Sequence, residues 1–132
     1  MGIKTYRVGK LSDGIDARKI PLSAVTSGAG LVFVSGLPPV NHETGDLVRG
    51  DILVQTRQCL ENVKAAVETA GSSMDKILKT TIYAVNCAYF EDINAIYAEY
   101  FPDVNKRPAR TFCTVGAWPW EFDIEIEAVA LA

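Results

Sequence analysis

The residues best suited to chemistry lie in the last quarter of the chain, where an arginine and two carboxylates stand among apolar residues. Arg110 precedes a short apolar run, and Glu125 and Glu127 follow in an alternating stretch. A guanidinium in such surroundings needs a partner, and a planar carboxylate matches its donors best. Arg110 is therefore either a clamp for the carboxylate of a small ligand or the ion-pair partner of Glu125 or Glu127. The residues alone leave both interpretations open.

Four further side chains have comparable alternatives. Glu125 can orient a water or relay a proton if partial burial raises its pKa, or it can be a solvated carboxylate on an edge strand. Asn94 is a substrate-binding amide or, as we favour from the residues alone, an exposed amide on a helix. Trp118 and Trp120 line the mouth of a pocket or, as we also favour, pack in an interface.

The residues that several other kinds of catalysis and ligand binding require are absent from the sequence. The sequence has no G-x-S-x-G, G-x-G-x-x-G or Walker pattern. Its single histidine, His42, lies in a turn-like N-H-E-T-G segment where we expect solvent exposure, and Cys59, Cys87 and Cys113 match no metal or redox spacing. We therefore expect neither a metal nor a cofactor. The remaining groups suit binding of a small carboxylate and addition of water to an electrophilic substrate.

Composition predicts a single globular domain over residues 1–132. The chain is 48% hydrophobic and 22% charged, with a formal net charge of -3. This acidic balance argues against nucleic acid as a partner, and the apolar runs are too short to span a membrane. Because no secretion signal is evident, we expect reduced thiols and a cytoplasmic protein.

Periodicity predicts an α+β fold in the order β-β-β-α-β-α-β-β. Alternation predicts strands over residues 3–8, 31–36, 76–85, 109–115 and 122–131, and the last two are expected to be neighbours. The sixth strand is the segment of residues 21–25, which leads into a hairpin turn. Helical spacing predicts helices over residues 51–70 and 89–101. Ser27 to Gly30 is expected to form a hairpin turn, and Leu11 to Lys19 is interpreted as irregular.

The two predicted helices can cover one face of such a sheet but not both faces. The second face is expected to hold Val129, Leu131 and Phe112, which are apolar. We therefore expect another copy of the chain to bury that face.

Several motifs, in a fixed order, resemble those of the RidA/YjgF family of enamine and imine deaminases. They cover most of the chain, from about Val32 to Ala130. They are V-S-G-L-P-P-V-N-H-E-T-G-D-L-V, G-D-I-L-V-Q-T-R-Q-C-L-E-N-V-K, A-G-S-S-M-D-K-I-L-K-T-T-I-Y, I-N-A-I-Y-A-E-Y-F, R-P-A-R and E-I-E-A.

The resemblance implies a chorismate-mutase-like fold and a homotrimer with sites in the clefts between subunits. It also implies hydrolysis of small 2-enamine or 2-imine acids to 2-keto acids and ammonia, without a cofactor. By position, Arg110 matches the arginine that holds the substrate carboxylate, and Glu125 the glutamate that positions water. Asn94, Gly36 and Phe112 match substrate-binding positions, with Phe112 standing where many members have cysteine.

Two segments depart from the family pattern and suggest a divergent branch. Leu22 stands where the main deaminase branch has a tyrosine, and Trp118-Pro119-Trp120 is an unusual loop sequence. One alternative function is therefore deamination of another enamine, such as 2-aminomuconate. A second is a ligand-binding or regulatory member without catalysis. Ribonuclease activity, attributed to some relatives, is disfavoured by the acidic composition.

Overall fold

A computed structural model describes residues 2–132 and consists of a six-stranded mixed sheet with three helices. Across the sheet the strands follow the order β1-β2-β3-β6-β4-β5, and every pair is antiparallel except β4 with β5. The element bounds in chain order are β1 Lys4–Tyr6, α1 Gly9–Ala17, β2 Val25–Gly28, β3 Leu31–Leu37, α2 Ile52–Thr69, β4 Ile77–Ala84, α3 Phe90–Tyr100, β5 Ala109–Thr114 and β6 Ile124–Leu131.

Helix α2 begins and ends as its sequence predicts. The Asp51 side chain accepts a hydrogen bond from the backbone N–H of Val54 at 3.0 Å, which caps the first turn. Gly71 follows the last turn with φ of +82°, a conformation that glycine adopts without strain. The stripe predicted from helical spacing is buried against the sheet from Ile52 to Val67.

The hairpin between β2 and β3 is confirmed. Gly28 pairs with Leu31, so the loop is two residues long. Ala29 and Gly30 both have positive φ, +53° and +78°, as a tight turn between right-twisted strands requires.

The two faces of the sheet differ in cover. Ile124, Ile126, Ala128 and Ala130 of β6 are buried on the face that α2 and α3 cover. The opposite face, called here the open face, leaves Phe33 45% and Leu131 47% exposed. Half-buried Glu125, Glu127 and Val129 of β6 lie on the same face. The expected uncovered face is therefore present in the single chain.

The structure corrects three predictions about the helices and strands. Residues 11–19 are not irregular, because most of them lie in α1, which buries Leu11 in the core. Strands β5 and β6 are not neighbours, since β4 lies between them and pairs with both. Phe112 does not lie on the open face. Its strand register places it beside Ile82 on the helix face, where its ring meets Phe90 edge-on at 5.1 Å.

A buried amide fixes the loop that follows β3. Asn62 on α2 is fully buried and donates to the carbonyl oxygens of Pro38, at 2.9 Å, and Val40, at 2.7 Å. Its own oxygen lies 2.9 Å from both His42 Nδ1 and Gln58 Nε2. His42 thus lies in the predicted turn, but it is half-buried and hydrogen-bonded, so the predicted solvent exposure is wrong.

We expect Asn62→Ala to lower the free energy of unfolding by about 3 kcal/mol, because it opens a cavity at a fully buried position and leaves two part-buried carbonyl groups without their donors. Urea unfolding at fixed protein concentration measures this. Gln58→Ala removes a single hydrogen bond at the same site and should cost about 1 kcal/mol. Equal losses in the two variants would show that Asn62 does not have the organising role inferred here.

Candidate functional site

Glu125 and Gly36 form the first half of the candidate site. Glu125 is the second residue of β6, and Gly36 lies in the irregular part of β3, where the register with β6 shifts between Val34 and Leu37. A Cβ atom built at Gly36 would stand 2.6 Å from Glu125 Oε1. The missing side chain is therefore what allows the carboxylate to lie against the β3 backbone.

The surroundings of Glu125 favour its protonated form. Burial, followed by the nearby charge of Glu127, raises the pKa of Glu125 from 4.5 to about 7, and Trp118 lowers it in part. Glu127 occupies the same face two residues later, and its Oε1 accepts a hydrogen bond from Tyr83 Oη at 2.8 Å. Glu125 thus titrates near neutral pH, which suits a group that exchanges protons with water.

We expect Gly36→Ala to lower kcat/KM by about tenfold or more while the fold is retained, because the added methyl group displaces the Glu125 carboxylate. The φ angle of Gly36 lies outside the left-handed region, so alanine strains no backbone torsion there. Steady-state rates with the 2-imino acids that the family resemblance implies as substrates, together with circular dichroism of the variant, test this. Unchanged turnover in a folded variant would contradict the role assigned to the Gly36–Glu125 contact.

A cavity of about 200 Å³ opens beside Glu125. Leu22 lies in its wall, as do Trp120 and Phe122 from the loop before β6. Helix α1, which the sequence did not predict, contributes Leu11 and Ile15 to the cavity wall and is therefore part of the site. Leu22 does not offer the hydroxyl that a tyrosine would place there.

Arg110 lies on the other face of the sheet. It pairs in register with Thr80 on β4, whereas Glu125 pairs with Tyr83, and these β4 residues point to opposite faces. The Arg110 guanidinium carbon stands 4.9 Å from the ring centre of Tyr97 and 5.5 Å from that of Phe90. No ion pair joins Arg110 to a carboxylate within residues 2–132. Pairing with Glu125 or Glu127 in the same chain is therefore wrong.

Asn94 lies on α3, the helix whose Phe90 and Tyr97 rings contact Arg110. Phe90, Asn94 and Tyr97 follow at helical spacing, so Asn94 belongs to the stripe of α3 that carries the two rings near the guanidinium. Its Oδ1 atom is buried yet has no hydrogen-bond partner among the described residues. The Tyr97 hydroxyl is engaged elsewhere, 2.6 Å from Thr80 Oγ1. Since a buried acceptor without a donor is costly, this atom suits a donor from a ligand.

The proposed site residues thus fall into two groups within one chain. Glu125 and Gly36 lie together beside the apolar cavity, whereas Arg110 and Asn94 lie together at α3, where Phe112 supports the Phe90 ring. Trp118 stacks on Phe122 at 4.7 Å, and Trp120 lines the cavity. Across residues 2–132, no three His, Cys, Asp or Glu side chains cluster as metal ligands would.

Sequence reasoning missed two positioning contacts. Gln55 Nε2 donates to Asp123 Oδ2 at 2.9 Å, and its Oε1 accepts from the Asp123 backbone N–H at 2.8 Å. These bonds fix the chain two residues before Glu125. The second contact is the hydrogen bond from Tyr83 Oη to Glu127, the neighbour of Glu125 on the same face. Neither contact has a sequence signal, because each joins residues distant in the chain.

Comparison with known proteins gives a consistent result. The family model described as endoribonuclease L-PSP matches residues 16–132. A RutC family protein of Pyrococcus horikoshii is 41% identical over 110 residues, covering 83% of this chain and 86% of the relative. The 2-iminobutanoate/2-iminopropanoate deaminase of Escherichia coli K12 is 41% identical over 102 residues, covering 76% and 79%.

A solved structure agrees in fold. The crystal structure of Escherichia coli TdcF with bound serine superposes with a TM-score of 0.78 at 34% identity, covering 85% of this chain and 88% of that one.

No helix within residues 2–132 has the length and apolar character needed to cross a membrane.

Proposed function

Because the chain belongs to the endoribonuclease L-PSP family, also known as RidA/YjgF, we propose that it hydrolyses small reactive 2-imino acids and their 2-enamine tautomers to 2-keto acids and ammonia. The similarity to the Escherichia coli deaminase supports this reaction. The observation on which the proposal most depends is the half-buried Glu125, with a pKa raised to about 7 beside a cavity.

Arg110, Glu125 and Asn94 have separate roles in the proposed reaction. Arg110 binds the substrate carboxylate with its paired N–H donors, which orients the imine carbon. Glu125 positions a water and accepts one of its protons as the water oxygen bonds to the imine carbon, and Glu125 then passes that proton to the imine nitrogen. The resulting aminol loses ammonia, the C–N bond breaks and the keto group forms. Asn94 Oδ1 accepts a hydrogen bond from the substrate nitrogen.

The active site is proposed to be shared between two copies of the chain, in a homotrimer. Arg110 and Glu125 lie on opposite faces of one sheet, so a single chain does not present both to one small substrate. A neighbouring copy brings its Arg110 and Asn94 to the Glu125 of the first copy. The Arg110 guanidinium has no ion-pair partner and the Asn94 oxygen no hydrogen-bond partner among residues 2–132, and the substrate then supplies both.

The open face supports such assembly. Phe33 and Leu131 are each close to half exposed and flank the half-buried Val129 in one apolar patch. Water-exposed apolar groups of this size are commonly buried by association. In a closed ring of three, each copy contributes one Glu125 half-site and one Arg110 half-site.

A coupled assay tests the proposed activity. A PLP-dependent dehydratase generates 2-aminoacrylate in a buffer that slows spontaneous hydrolysis, and keto-acid release is followed after the protein is added. Acceleration proportional to protein concentration is the expected result. Release at the spontaneous rate, for this and for bulkier imino acids, would instead favour a ligand-binding protein without catalysis.

A further inference from the structure

The cavity beside Glu125 has more room than a positioned water needs. Its volume is about 200 Å³, and the only charged side chains in its lining are Glu125 and Arg18. The other side chains in the lining are aliphatic or aromatic, and Leu22, Trp120 and Phe122 are among them. A cavity walled in this way favours an apolar group over water or a polar chain.

Trp120 and Phe122 separate this cavity from a second one. Both residues also line a cleft of about 490 Å³ on the side of Arg49 and Asp123. Phe122 is 6% exposed and stacked on Trp118, so it is fixed in the wall. Trp120 is 43% exposed, and no aromatic ring within residues 2–132 stacks on it. Trp120 is thus the part of the wall that a substitution removes with least damage.

Arg18 does not make the cavity a site for a second anion. Its Nη1 atom donates to the Gly14 carbonyl oxygen of its own helix at 3.3 Å. A Cβ atom at Gly14 would come within 3.1 Å of the same nitrogen, so the guanidinium lies close against α1. The charged end therefore lies on the helix backbone near solvent, and the side-chain stem is what adds to the apolar wall.

We propose that this cavity is the subsite for the substrate side chain. The protein then prefers 2-imino acids with branched aliphatic side chains to 2-iminopropanoate, and Trp120 limits how long a side chain can enter. This inference rests on the proposed deaminase function. Leu22 contributes to the preference, because it extends the apolar wall at a cavity mouth where its side chain is 47% exposed.

A substrate series tests the subsite. Amino acid oxidases generate the 2-imino acids of alanine, leucine, phenylalanine and glutamate, and semicarbazide competes for each imine, so hydrolysis appears as reduced trapping. For the wild type, kcat/KM for the leucine-derived imine should exceed that for the alanine-derived imine by about tenfold or more. Trp120→Ala should raise kcat/KM for the phenylalanine-derived imine about tenfold relative to the leucine-derived one.

The controls separate this inference from the proposed function. Leu22→Ser should weaken the preference for the leucine-derived imine, whereas Val104→Ala, a truncation of a 68% exposed side chain outside the cavity lining, should leave the series unchanged. Hydrolysis of the alanine-derived imine without preference for the larger one would overturn the subsite alone. Preference for the glutamate-derived imine would overturn it in favour of an anion subsite at Arg18. Hydrolysis of none would overturn the proposed function as well.

Discussion

Arg110→Ala should lower kcat/KM for a small 2-imino acid by about a thousandfold, because it removes the paired donors that hold the substrate carboxylate. Arg110→Lys should keep a small part of the activity, since an ammonium group retains the charge but not the planar pair of donors. The guanidinium forms no ion pair within residues 2–132 that a substitution would break. The loss should therefore appear in catalysis with little loss of stability. Steady-state kinetics and thermal unfolding of the same preparations measure both.

Arg57→Ala is the matched control. Arg57 is a solvent-exposed arginine on α2 that pairs with Glu99 at 3.1 Å, and it has no place in the proposed site. We expect its substitution to leave kcat/KM unchanged. Near-normal turnover in Arg110→Ala would show that Arg110 does not bind the substrate.

Glu125→Gln should lower kcat by about a hundredfold or more and should abolish the pH dependence that Glu125 imposes. In the wild type the carboxylate is the active form, so activity should rise with pH as Glu125 loses its proton. The pKa of Glu125 in one chain is about 7, and the guanidinium of the proposed second copy should lower it toward the ordinary value of 4.5. The inflection in kcat/KM should therefore fall between these two limits.

Glu127→Gln provides a directional control for that profile. The charge of Glu127 is among the causes that raise the pKa of Glu125, so its removal should move the inflection to lower pH without abolishing turnover. A profile that keeps its inflection in Glu125→Gln would assign the titrating group to another residue.

Local patterns in the sequence predicted most of the fold but not its three-dimensional pairing. Alternation in β6 and helical spacing in α2 depend on neighbouring residues, so both elements were predicted within two residues of their ends. Helix α1 was missed because Asp13, Gly14 and Asp16 interrupt its apolar spacing. The position of β4 between β5 and β6 depends on contacts distant in the chain, and periodicity does not encode such contacts.

The same limit applies to the site. Residue type and family likeness identified Arg110 and Glu125 as candidates, and alternation predicted that they lie on neighbouring strands. Only the strand register shows that they lie on opposite faces. The close approach of Gly36 to Glu125 was likewise invisible in sequence, because it arises at a register shift between β3 and β6.

The shared site is the central claim, and mixing two inactive variants tests it most directly. Arg110→Ala and Glu125→Gln chains, unfolded together in equal amounts and refolded, form mixed trimers in which one junction pairs an intact Glu125 with an intact Arg110. Random assembly then predicts recovery of about a quarter of the wild-type activity. Each variant refolded alone should remain inactive. Absence of recovery, with mixed trimers present by native mass spectrometry, would contradict a site built from two copies.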